Sequence, residues 1–105
     1  MEFINRKIAT SREKEMKRQE LSDLLKEILV DLRGLEAIRG GCSLYSIISS
    51  YEDTLVCLAH KRLKNNHIKH APREYLEVYN DYKNPLLERM DLAQRKVKEF
   101  IELDH

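Results

Sequence analysis

Leu21 to Leu35 reads LSDLLKEILVDLRGL, and its spacing decides the fold. Leu21, Leu25, Ile28, Leu32 and Leu35 fall at intervals of 4, 3, 4 and 3. Two such intervals average 3.5 residues, the repeat of a helix that packs along another helix. Leu24 and Leu29 widen the stripe, as a globular bundle needs. Upstream, Ser11 to Glu20 is nearly all charged, with Met16 its one apolar residue. A long first helix is therefore expected from about Thr10 or Ser11 to the tandem glycine Gly40-Gly41, a strong stop signal. Gly34 inside the pattern is a mild weakness, and the charged start has no evident cover.

The same pattern recurs downstream. Leu44, Ile48, Tyr51, Leu55 and Leu58 repeat the 4, 3, 4, 3 spacing after Ser43, a favourable N-cap. Leu55 to Ala59 is apolar over five consecutive residues, so it reaches every side of a helix. That helix is expected to fray near Asn65-Asn66, since Asn favours caps and turns. A third helix is expected after Ala71, with Pro72 at its first position. Its apolar side holds Tyr75, Leu76, Val78, Tyr79 and Tyr82. Asn84-Pro85 interrupts the chain. A fourth helix then carries Leu86, Met90, Ala93, Val97 and Phe100 or Ile101. The fold class is all-α: a small bundle of three to four mostly antiparallel helices with a long, charged first helix.

Composition agrees. Three Gly, two Pro and no Trp in 105 residues leave few breakers, and 42% apolar residues are too many for a disordered chain. The length suits a single domain, 1–105, of marginal stability, ~5–15 kcal/mol. Residues 1–9, with Phe3, Ile4 and Ile8, are expected either to pack back or to serve as a partner-binding tail. No run nears the ~18 apolar residues that span a membrane. MEFINRKIATSREKE lacks the pattern of a secretory signal. Cys42 and Cys57 make no disulfide framework, so both are expected to be reduced thiols in a cytoplasmic protein.

The formal charge of +1 hides a polarised chain. His60 to Arg73 reads HKRLKNNHIKHAPR, with five Lys or Arg, three His and no acid. The remaining residues carry 14 basic and 18 acidic side chains, a net of −4. The simpler reading is a solvated helix end, where cations suit the dipole. The functional reading is an anion or nucleic-acid site made by Lys61, Arg62, Lys64, Lys69 and Arg73. The low total charge and the lack of aromatics within the stretch weigh against a dedicated nucleic-acid domain.

Arg62 and His67 form an R-x4-H pair. It resembles the signature of HEPN ribonucleases, small helical domains that act as dimers. That resemblance implies an Arg that polarises an RNA phosphate and a His that moves a proton. It covers only residues 62–67, and Leu63 stands where the family usually has a polar residue.

Cys57, His60, His67 and His70 have the donor types of a tetrahedral zinc site, though Cys57 sits in an apolar run. No Gly-rich phosphate loop or nucleophile grouping is present. Tyr75, Tyr79 and Tyr82 share one helical face; core packing is the default reading of such a stripe, and a partner surface, made with Val56 and Leu63, is the sharper one. The expected function is therefore non-enzymatic, with no cofactor. It is a cytoplasmic protein–protein interaction module, such as an adaptor, inhibitor, chaperone or assembly subunit. Its partner is another protein or a second copy of itself, with a homodimer expected. Nucleic-acid binding through 60–73 is the alternative, and a ribonuclease using Arg62 and His67 the next.

Overall fold

The computed structural model describes residues 11–39, 44–79 and 83–103, and they form an all-α bundle. Helix α1 runs Ser11–Arg39, α2 Tyr45–Ala59, α3 Ala71–Tyr79 and α4 Pro85–Leu103. The side chains of Ser11, Arg39 and Tyr79 are outside the description, as are residues 1–10, 40–43, 80–82 and 104–105. The glycine stop at Gly40-Gly41, the Ser43 cap, Cys42, Tyr82 and the N-terminal tail therefore lie outside the described residues.

Helix α1 is the spine. It packs on α4 and α2, while α3 packs on α4 and α2. Side-chain pairs fix the directions. Arg18 lies over the Phe100 ring, 5.4 Å from its centroid, and Asp31 takes a hydrogen bond from Arg89. As α1 numbers rise, α4 numbers fall, so the two are antiparallel. Asn66 meets Gln94 and Tyr75 meets Asn84, so the third segment runs antiparallel to α4 as well.

The expected seams form the core. Leu21, Leu25, Ile28, Leu29 and Leu32 of α1 are buried against Leu86, Met90, Ala93, Val97 and Phe100 of α4. Leu35 is partly buried at the stripe's end. In α2 the stripe is turned slightly from the expected one. Ile47, Ile48, Tyr51, Thr54 and Leu58 are buried, and Leu55 is only partly so. Thr54 is tolerated inside because its hydroxyl donates to the Ser50 carbonyl at 2.8 Å.

Among the described residues, the charged start of α1 is covered only where Arg18 lies over the Phe100 ring of α4; Arg12, Glu13, Glu15, Met16 and Lys17 are exposed. One expectation is corrected and another is resolved. The apolar run 55–59 could make α2 central or give it a second apolar face, and it divides: Leu58 is core, Leu55 and Cys57 are partly buried, and Val56 and Ala59 are exposed. And α2 does not reach Asn65-Asn66; it stops at Ala59.

That stop has a specific cause. The Arg62 N–H donates to the Cys57 carbonyl at 2.8 Å, and the Lys61 N–H to the Leu58 carbonyl at 3.2 Å. These two bonds are the Schellman pattern, which needs a left-handed residue at the Lys61 position. Lys61 adopts φ 58° there, where glycine is the usual occupant. The chain then turns back so that Leu63 and Ile68 enter the core.

The start of α4 is equally well defined. Asn84 is its N-cap: its side-chain oxygen accepts from the Leu86 N–H at 2.9 Å, and Pro85 takes the first helical position.

Candidate functional site

The segment joining α2 to α3 is a pinned loop. Leu63, Ile68 and Ala71 are buried. Asn66 donates from Nδ2 to the Gln94 carbonyl of α4 at 2.9 Å, and its Oδ1 accepts from the Ile68 N–H at 3.2 Å. Between these anchors, Lys61, Arg62, Lys64, Lys69 and Arg73 all point outward, as do His60, His67 and His70. The cationic candidates are thus all surface groups on one fixed backbone. Among the described residues none of the five cations has an ion pair, whereas Arg18, Arg33, Arg89 and Arg95 on α1 and α4 each bind a carboxylate.

The other candidates separate. Arg62 and His67 are exposed, and both lie in the loop past the end of α2, outside any helix. Cys57, His60, His67 and His70 are not gathered: among the described residues no three His, Cys, Asp or Glu side chains cluster as a metal would require.

Two members of the expected partner surface turn out to be core. Leu63 is 4% exposed, because the loop folds it under the basic side chains. Tyr75 is fully buried, and its hydroxyl accepts from Asn84 Nδ2 at 3.2 Å, so it fastens α3 to the start of α4. Tyr79 and Tyr82 have no described side chain. Among the described residues of the set, Val56 is the exposed one, at 54%.

Val56 has companions that the seam analysis passed over. Val30 is 67% exposed and Ile38 83% exposed on the side of α1 away from its core seam. Val30 lines two neighbouring surface grooves. One is shared with Leu29, Leu55 and Val56, the other with Gly34, Leu35 and Ile38. Val30, Gly34 and Ile38 are four residues apart, so they form one row along the helix. A Cβ placed at Gly34 would meet nothing within 4 Å, so this chain's own packing does not require glycine there. Ion pairs flank the row on both sides, Arg33 with Glu52 and Arg89 with Asp31. The sequence signal was the 4-residue spacing of Val30, Gly34 and Ile38. It shows as a surface row only once the buried side of α1 is known.

No protein-family model matches this chain, and no match is found among curated proteins or solved structures. Among the described residues, no helix is long and apolar enough to cross a membrane.

Proposed function

We propose that this chain is a non-enzymatic interaction module whose outer α1 row pairs with another protein, in the first place a second copy of itself. The observation that carries the reading is the exposure of Val30 and Ile38 on either side of Gly34. Exposed apolar residues in a contiguous row, rimmed by charged pairs, have the make-up of an interface. The row is also self-complementary. With two copies crossed about Gly34, Val30 of one meets Ile38 of the other, as a two-fold contact requires. Rows of residues four apart interdigitate in the commonest helix–helix packing, and a glycine at the crossing lets the backbones come close. Val56 would extend the contact onto α2.

Sedimentation equilibrium from low micromolar to submillimolar protein tests this. The wild type is expected to dimerise. Ile38→Asp and Gly34→Leu should each shift the equilibrium to monomer without unfolding the chain, because neither site is buried, and the Gly34→Leu melt should rise with its better helix propensity. A wild type that stays monomeric over the whole range, or a dimer indifferent to both variants, would overturn the pairing.

A further inference from the structure

We infer that the loop from His60 to Arg73 is a second, separate site, which grips the phosphodiester backbone of duplex nucleic acid without reading its sequence. No acidic residue falls between Asp53 and Glu74; Glu74 itself adjoins Arg73, while Lys61, Arg62, Lys64 and Lys69 have no acid within four residues along the chain. Across the fold, Asn66 brings the loop to Gln94 of α4. The acid nearest to Gln94 in that helix, Asp91, is already held by Arg95 at 3.0 Å. Apart from Glu74 beside Arg73, the positive field is thus left without a facing acid along the loop and is directed outward.

The helix-end explanation does not cover this arrangement. Cations are favoured at a helix C-terminus, and that accounts for the residues directly after Ala59. Lys69, His70 and Arg73 instead stand at the N-terminus of α3, the positive end of its dipole. Glu74 in the first turn matches that dipole, but the cations beside it oppose it. Lys61 adds a left-handed backbone at a non-glycine residue. Strain of that kind is held in place by the surrounding fold, here by the buried Leu63 and Ile68.

The ligand class follows from what the loop does not expose. Its apolar residues Leu63, Ile68 and Ala71 all face inward. A protein partner would need an apolar core to the contact, and an anionic membrane would need residues to insert. No Phe, Tyr or Trp lies in the loop, so unpaired bases find only the smaller His imidazoles and Arg guanidinium planes to stack on. Phosphate oxygens need only fixed, accessible cations. Backbone gripping is therefore expected with duplex DNA and duplex RNA alike.

Fluorescence anisotropy of the full chain with a labelled DNA duplex, the matching RNA duplex and the single strand provides the test. Phosphatidylserine vesicles and polyglutamate serve as competitors. Both duplexes should bind more tightly than the single strand. With three to five phosphates neutralised, the log–log salt slope should be about −3 to −4.5, a loss of roughly 10²-fold between 50 and 200 mM salt. The triple reversal Lys64→Glu, Lys69→Glu and Arg73→Glu should abolish duplex binding. The milder Lys64→Gln, Lys69→Gln and Arg73→Gln should weaken it at least tenfold if the reversal impairs folding. An equal reversal elsewhere, Lys26→Glu, Lys83→Glu and Lys98→Glu, should cost far less. Any of four results overturns the site: no duplex binding at low salt, preference for the single strand, equal losses in the loop and control reversals, or stronger binding to polyglutamate or vesicles than to either duplex. The α1 row takes no part in this experiment, so dimerisation can fail while the loop site stands, and the reverse.

Discussion

Replacing Tyr51 by Phe should stabilise this protein. Tyr51 is wholly buried in α2, facing the core, and its hydroxyl has no hydrogen-bond partner among the described residues. Leaving a buried hydroxyl unpaired costs about 1–3 kcal/mol relative to its hydration in the unfolded chain. Phe keeps the ring, and with it the apolar burial, and removes that cost. A gain of about 1–2 kcal/mol is expected, read as an upward shift of the urea midpoint at constant m-value. In a thermal melt each kcal/mol should appear as roughly 4–8 °C. The control is Tyr51→Ala, which empties the site and should cost about 3–5 kcal/mol.

The pH dependence gives an independent reading of the same hydroxyl. Burial raises the Tyr51 phenol above its ordinary value, since the phenolate would be stranded in the core. Above about pH 10 the unfolded chain loses this proton while the folded chain keeps it. The unfolded state then binds fewer protons, so stability falls as pH rises, by up to about 1.4 kcal/mol per unit for this one group. Below that range the contribution is constant. Tyr51→Phe should lack this component, so the two stability curves should diverge above about pH 10, with the variant falling less steeply. If Tyr51→Phe is destabilising, or the alkaline slopes are identical, the hydroxyl has a partner and the reasoning fails.

Three further substitutions probe separate parts of the account. Lys61→Gly relieves the left-handed backbone at the end of α2 and should add about 0.5–1 kcal/mol in urea denaturation, whereas no change would mean that Lys61 is unstrained. Ile28→Ala should cost about 2–5 kcal/mol because Ile28 is fully buried in the α1 seam; Leu55→Ala, at a partly exposed site, should cost clearly less, and equal losses in calorimetry would contradict the burial described. Gly34→Ala should stabilise the monomer by about 1 kcal/mol, since the added methyl meets nothing and alanine is the better helix former; a loss measured at low protein concentration would show a contact that the open row does not have.

The parts of the fold that were legible in the sequence are those governed by local periodicity. The α1 and α4 seams follow from spacing alone, because one face of each helix is buried along most of its length. The end of α2 was not legible. Its stop uses lysine where glycine would have signalled it, and Leu63 continues the apolar pattern past the real boundary. For Leu63 and Tyr75 the sequence does not say whether an apolar side chain meets the core or a partner. Their burial depends on how the loop folds back and how α3 lies on α4, which are tertiary facts. Val30 and Ile38 were missed for the converse reason. An apolar residue off the seam gains meaning only when the packing of α2 and α4 leaves its face uncovered. The basic loop was legible as a charge pattern, but its fixed backbone and its place beside the α3 N-terminus were not.

The most direct test of the central claim is a methyl NMR dilution series on the wild-type chain. If the outer row of α1 is an interface, the Val30, Ile38 and Val56 methyl signals should shift together as concentration rises, while those of the buried Ile28 and Val97 stay fixed. Concentration-independent spectra at all five residues would contradict it, as would shifts confined to methyls outside that row.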